Sequence, residues 1–193
     1  MDKTDIKILN KYKYIFGAIA APGKGRAFLV VLGREHYGAE QMHVLDEIEC
    51  KDLYEVCHTA AVWNAFFKCD RWVGDSKDNL TMRDFIRQIK KEVKGMQDFS
   101  ISPTMLAEKK QGFYEWAMPT LKKMINEGHL VLPPNGLLRD YLSKIDAVDL
   151  PSLEFGAVPS AEALVFCAVG LEKYKKPGTN QGGKARHDTV KFF

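Results

Sequence analysis

Residues 43–78 read HVLDEIECKDLYEVCHTAAVWNAFFKCDRWVGDSKD and contain, in order, a predicted strand, helix and strand. The first strand is predicted over residues 41–49, which carry branched apolar side chains. Apolar residues then recur at helical spacing over residues 52–67, with Asp52 placed to cap the helix. Residues 71–75 form the second predicted strand. Because a helix connects the two strands, we expect residues 71–75 to run parallel to a neighbouring strand.

Two further strands are predicted upstream of this unit. Residues 13–20 (KYIFGAIA) and 26–33 (RAFLVVLG) are rich in apolar and aromatic side chains, and turn-forming stretches follow each of them. Strands so close in sequence usually pair with one another. The sequence therefore predicts an antiparallel three-strand meander that ends in residues 41–49.

The downstream half is less regular. Its periodicity predicts short strands at residues 99–101 and 129–132, and helices at residues 80–93, 104–126, 137–145 and 161–174. Gly112 and Pro119 are expected to break or bend the helix at residues 104–126. A meander followed by a crossover helix, a parallel strand and further helices indicates an α/β fold with a mixed sheet. Periodicity alone leaves several such folds open.

Composition indicates one globular domain with a basic tail. The chain has 193 residues, 46% of them hydrophobic and 27% charged, and no apolar run long enough to span a bilayer. Its charged start, MDKTDIKILNKYKY, argues against a secretory signal, so we expect an intracellular protein. We expect a domain over residues 1–176 and a flexible, Gly-rich tail over residues 177–193. From residue 173 onward, six lysine and arginine residues face one aspartate, and this charge either contacts phosphates or only aids solubility.

Motifs for other chemistries are weak. The four cysteines form no CxxC pair, which argues against a zinc site and favours buried, unreactive thiols. The stretch APGKGR at residues 21–26 lacks the pattern of a nucleotide-binding phosphate loop and lies in a predicted hairpin. Its Lys24 and Arg26 could still contact a DNA backbone, or serve only as solvated surface charges.

The order of the main motifs resembles the nuclease domain of phage and viral large terminases, which has a ribonuclease H-like fold. The strand HVLDEIE, the helix after it and the strand WVGDSKD match in order. The segment INEGHLVLPPNGLLRDYLSKIDA (residues 125–147) is similar to a helix, strand, turn and helix of that family, and PSAEALVFCAVGLEKY (residues 159–174) to its last helix. The resemblance covers about residues 13–176. It implies a ribonuclease H-like mixed sheet, with a meander and parallel strands, flanked by helices.

The resemblance also implies a nuclease site that holds two Mg²⁺ or Mn²⁺ ions about 4 Å apart. Such a site needs about three converging carboxylates. Asp75 matches the family's second aspartate, although it could be a turn residue at a strand end. Glu162 matches the acid of the last helix, although an acid in a first helical turn also stabilises the helix itself. Asp78 could assist as a further metal ligand.

The first strand lacks the carboxylate that the family uses to bridge both metals. The resemblance places Ala18 at that position, and its neighbours Gly17, Ile19 and Ala20 carry no acid either. Substitutes are weak: helical spacing puts Glu55 on the surface, and the acids of the third strand are expected to be structural or exposed. His187 and Asp188 in the tail could reach the site only by folding over it.

These observations leave three hypotheses. The first is an active metal-dependent endonuclease with a rearranged carboxylate set, as would also follow if an aspartate had been exchanged for Ala18. The second, which we favour, is a catalytically degenerate terminase-type module that binds nucleic acid or a packaging partner. The third is a structural protein that uses the fold for protein contacts. The resemblance implies double-stranded DNA, a separate packaging motor or a small terminase protein as partners, no membrane, and the cytoplasm of a bacterial host. DNA contacts are expected at Lys24, Arg26 and Lys77.

Overall fold

The computed structural model of the chain describes residues 10–20, 26–75, 79–93, 96–97, 99–104, 112–146, 149–153 and 156–173. The candidate residues Lys24, Lys77 and Asp78 lie outside these ranges, as do His187 and Asp188 of the basic tail. Within the described ranges, no helix is long and apolar enough to cross a membrane.

The predicted meander is confirmed. Strands β1 (Tyr14–Ala20), β2 (Ala27–Arg34) and β3 (Met42–Cys50) pair in antiparallel fashion, in that order. All residues of β1 and β2 are buried, which is expected of strands covered on both faces. The apolar runs that predicted these strands therefore form the centre of the protein.

Three parallel pairings extend the meander into a six-stranded sheet with the order β5-β4-β1-β2-β3-β6. After helix α1 (Leu53–Phe67), strand β4 (Arg71–Asp75) runs parallel to β1, as predicted. Strand β5 (Ile101–Thr104) lies parallel to β4, and strand β6 (Leu130–Val131) lies parallel to β3. The fold is thus α/β with a mixed sheet.

Helices cover both faces of this sheet. Helices α1 and α2 (Asn79–Glu92) pack on one face, against the odd-numbered side chains of β1 and β2. On the other face lie α3 (Phe113–Asn126), α4 (Leu137–Ser143), a short 3-10 helix (Leu150–Ser152) and α5 (Pro159–Lys173). This alternation follows from the two-residue period of a strand.

Helix α5 lies across the centre of the sheet. It contacts β1, β2 and β4, and its side chains Leu164, Phe166 and Cys167 have no solvent exposure. The Cys167 thiol donates a hydrogen bond to the Phe16 carbonyl over 3.1 Å. On the opposite face of β1, a Cβ at Gly17 would lie 2.5 Å from Trp72 Cε3. Close packing on both faces therefore fixes β1 between α5 and the α1 layer.

Two predicted elements differ from the structure. The strand predicted at residues 99–101 is β5 at Ile101–Thr104, so Thr104 belongs to a strand and not to the following helix. Helix α3 begins at Phe113, directly after Gly112, whose φ of 70° favours glycine.

Pro119 lies inside α3 and does not end it, contrary to prediction. Proline lacks the N–H that would bind the Glu115 carbonyl, but both residues are exposed, so water can satisfy that carbonyl. The next carbonyl, of Trp116, accepts a hydrogen bond from the Thr120 hydroxyl over 2.8 Å. The surface position of the proline therefore lets the helix continue.

The four cysteines are free thiols, as predicted. Cys50, Cys57 and Cys167 are buried and Cys69 is partly buried. Burial raises the pKa of Cys50 to about 11 and that of Cys69 to about 12. Raised thiol pKa values fit the prediction of unreactive side chains.

Candidate functional site

The terminase resemblance directs attention to one end of the sheet, where β1 and β4 finish side by side. In the parallel register, Ala18 pairs with Val73 and Ile19 pairs with Gly74. Asp75 is the last residue of β4 and its backbone pairs with Thr104 of β5. The fold therefore brings positions 18 and 75 to adjacent strands.

Position 18 is enclosed by apolar side chains. Ala18 has no solvent exposure and belongs to the core cluster beneath α5. Its partners across the sheet are Val30 on β2 and Val73 on β4. A carboxylate placed here would find neither water nor a hydrogen-bond donor among these neighbouring side chains.

Position 75 lies two residues beyond Val73, which faces the core under α5. By the two-residue period of a strand, position 75 has the same parity as position 73. The backbone thus allows Asp75 to serve at the sheet end next to β1, and its role as a catalytic or metal-binding residue stays a prediction.

Glu162 lies in the first turn of α5, where the sequence placed it, but its carboxylate is buried and bound. The residue is 1% exposed. Its Oε1 accepts hydrogen bonds from the Tyr114 hydroxyl and from the Gly156 amide, each over 2.5 Å. The Val158 amide in turn donates to the Tyr114 oxygen over 2.7 Å. Glu162 therefore joins α3 to the turn that precedes α5.

Tyr114 is the residue of this site that sequence reasoning missed. It is 1% exposed. Burial raises the pKa of its hydroxyl well above the ordinary value, and the charge of Glu162 and the hydrogen bond to it raise that pKa further. The tyrosine thus stays protonated and donates to Glu162. Only its place in an apolar helix was visible in the sequence, because its partner lies 48 residues away.

The described side chains do not fit a two-metal centre. No group of three or more His, Cys, Asp or Glu residues that could hold a metal ion occurs within the described part of the chain. Position 18 offers a methyl group, and Oε1 of Glu162 already accepts two hydrogen bonds. Because Mg²⁺ and Mn²⁺ prefer several carboxylate oxygens, this donor set is too small for the pair of ions that the resemblance implies.

Two other acids considered from the sequence stabilise helix ends. Glu55 Oε2 accepts from the Lys51 amide over 2.7 Å, and Asp52 Oδ1 accepts from the Glu55 amide over 2.8 Å. This reciprocal pair caps α1. Glu47 Oε2 accepts from the Leu138 amide over 3.2 Å at the start of α4. Burial raises the pKa of Glu47, and the amides of α4 oppose that rise.

A cleft of about 490 Å³ opens beside the start of α5. Arg26, Glu49, Tyr141 and Ser160 contribute to its lining. Glu49 accepts from the Tyr141 hydroxyl over 3.0 Å and pairs with the Arg26 guanidinium over 3.5 Å. The Arg26 side chain is 75% exposed. Of the three basic residues expected to contact DNA, the structure therefore places this one at the end of the sheet where the site was sought.

Comparisons with known proteins find similarity in structure only. No protein-family model and no curated protein matches the sequence. The structure is similar to the large terminase nuclease of thermophilic phage G20c, with a TM-score of 0.56 and 9% identity over 86% of this chain and 87% of that one. It is also similar to the nuclease domain of the bacteriophage SPP1 large terminase with bound Mn, with a TM-score of 0.53 and 12% identity. That match covers 82% of this chain and 87% of the SPP1 domain.

A third similar structure is the large terminase of another thermophilic bacteriophage, with a TM-score of 0.55 and 7% identity over 84% of this chain. The chain covers only 40% of that larger protein. Identities this low establish a shared architecture and nothing about activity. The chain therefore has the ribonuclease H-like fold found in the nuclease domains of large terminases.

Proposed function

We propose that this protein is a terminase-type nuclease module that has lost its catalytic site and acts by binding DNA or a packaging partner. The observation that carries the proposal lies at position 18. Where a two-metal nuclease of this fold needs a bridging carboxylate, the chain has an alanine sealed beneath α5. The hydrogen bonds from Tyr114 and Gly156 to Glu162 support the same interpretation, because they give that carboxylate a structural role.

Loss of the bridging ligand has a large expected effect on rate. A metal-assisted displacement depends on the ions to activate water and to stabilise the leaving oxygen. A loss of several kcal/mol of that stabilisation lowers the rate by several powers of ten. We therefore expect binding, and not hydrolysis, to be the retained property of this module.

The alternative is an active endonuclease that uses Mg²⁺ or Mn²⁺ with a rearranged set of Asp75, Glu162 and Asp78. The position of Asp75 at the end of β4, next to β1, favours this alternative. It requires Glu162 to leave its partners Tyr114 and Gly156. The two functions make opposite predictions for DNA cleavage.

The binding function predicts a contribution from the basic turn between β1 and β2. Replacing both Lys24 and Arg26 by alanine is expected to weaken binding of double-stranded DNA about tenfold at low salt. It should also reduce the slope of log affinity against log salt by about one to two, as expected for the loss of two phosphate contacts. Fluorescence anisotropy with labelled duplexes of different sequence measures both quantities.

Lys11→Ala is the matched control for this experiment. Lys11 also precedes a strand and also pairs with a glutamate, Glu35, over 2.7 Å, but it lies at the opposite end of the β1–β2 hairpin. Its replacement should leave the affinity and the salt slope unchanged. Equal losses in the control and in the double variant would contradict a DNA-binding role for this turn.

A further inference from the structure

We propose that a groove between α3 and α4 binds an acidic, amphipathic helical segment of a partner protein. This inference deepens the partner-binding part of the proposed function and rests on it. It concerns the helical side of the protein and is independent of the basic turn at Arg26.

The groove is a cavity of about 840 Å³ between α3, α4 and the 3-10 helix. Its floor is apolar and continues the core that packs against α5. Partly exposed side chains form much of this floor, from Met118 and Ile125 on α3 to Leu142, Ile145 and Leu150 on the facing segments. An open apolar strip of this kind, between two helices, suits the apolar face of a third helix.

Cations line the rim of the groove. Lys122, Arg139 and Lys144 are exposed and stand around the floor, where Asp146 is the one acid among the lining residues. Lys122 and Arg139 make no ion pair among the described residues. Neighbouring Lys123, by contrast, pairs with Glu127 over 3.9 Å. The rim therefore offers two cations that are available to a ligand.

This combination selects the chemistry of the partner. The floor needs an apolar stripe, which a nucleic-acid backbone does not present. The rim favours carboxylates at the flanks of that stripe and disfavours cations. The chain's own tail, with six basic residues against one acid from residue 173 onward, has the wrong charge. An acidic segment of another protein meets both requirements.

A peptide pair tests the proposal. The probe is a fluorescein-labelled peptide of about four helical turns with leucine along one face and glutamate elsewhere. Its mate carries lysine in place of each glutamate. We expect the full-length protein to bind the acidic peptide and not the basic one, in anisotropy titrations at low salt. The double variant Lys122→Glu, Arg139→Glu should weaken that binding about tenfold.

Two further variants make the test specific to the groove. Leu142→Ala removes part of the floor and should also weaken binding. The pair Lys90→Glu, Lys91→Glu changes the same charges on α2, which packs on the other face of the sheet, and should leave binding unchanged. Circular dichroism melts verify that each variant folds.

Three results would overturn the proposal. One is equal binding of the acidic and basic peptides, and another is binding that the groove variants do not change. The third is self-association of the protein, measured by sedimentation equilibrium and abolished by the groove variants, because a second copy would then be the occupant. DNA binding by the same variants reports separately on the proposed function, since the groove variants are expected to retain it.

Discussion

Glu162→Ala is expected to lower the free energy of unfolding by about 3–5 kcal/mol. The substitution removes the acceptor of two hydrogen bonds at a site that is 1% exposed. The Tyr114 hydroxyl and the Gly156 amide would then be buried without this partner, and each such group costs about 1–3 kcal/mol. The loss of packing around the missing side chain adds to this cost.

Urea denaturation followed by circular dichroism measures this effect. Glu162→Gln keeps an acceptor oxygen but introduces an amide group, so its loss should be smaller than that of the alanine variant. Glu115→Ala is the control for an acid in the first turn of a helix, because Glu115 is exposed on α3, and it should change stability by about 0.5 kcal/mol or less. If Glu162→Ala cost no more than this control, the structural role of Glu162 would be wrong and the carboxylate would be available for metal.

Ala18→Asp, which supplies the carboxylate missing from the terminase pattern, is expected to destabilise the protein by about 4 kcal/mol at pH 7. The position has no solvent exposure and is surrounded by apolar side chains. Burial of this kind raises a carboxyl pKa by about three units or more, and each unit corresponds to about 1.4 kcal/mol. Adding the acid should therefore harm the core and not restore a nuclease.

The sign of the pH dependence follows from the raised pKa of the introduced carboxyl. Below the unfolded-state pKa of about 3.9, both states are protonated and the charge penalty is absent. As the pH rises from there to the folded-state pKa, the unfolded chain releases its proton first and the folded state loses relative stability. Above the folded-state pKa the penalty is constant.

Ala18→Asn is the matched control, because it has nearly the same size and cannot ionise. The difference in stability between the two variants should be small at pH 4 and largest near neutral pH. Denaturant titrations at several pH values, with and without Mn²⁺, measure this difference. A difference independent of pH, or one that Mn²⁺ removes, would indicate that position 18 already lies in a site prepared for metal.

Most of the sheet could be predicted from the sequence, because its strands are long and apolar. The runs at β1 and β2 are buried on both faces, and the acidic residue before α1 caps that helix as expected. Prediction failed where local signals were short or ambiguous. Strand β5 has four residues, one of them Pro103, and Pro119 occupies an exposed helical position where its usual disruptive effect is small.

The candidate site was predictable in position and not in chemistry. The chain order indicated where Asp75 and Glu162 would lie, since both follow from the ends of regular elements. The state of Glu162 depends on Tyr114, which is far away in sequence and brought close only by the packing of α3 on α5. Likewise, the apolar surroundings of Ala18 arise from three strands and a helix together. Long-range packing of this kind leaves no local signature.

The most direct test of the account is cleavage of supercoiled plasmid by the purified protein with Mn²⁺ or Mg²⁺, compared with Asp75→Ala. We predict that the parent protein cuts no faster than the Asp75→Ala variant with either ion, while duplex binding persists. Metal-dependent cutting by the parent that Asp75→Ala abolishes would contradict the account. It would establish an active endonuclease with a rearranged carboxylate set.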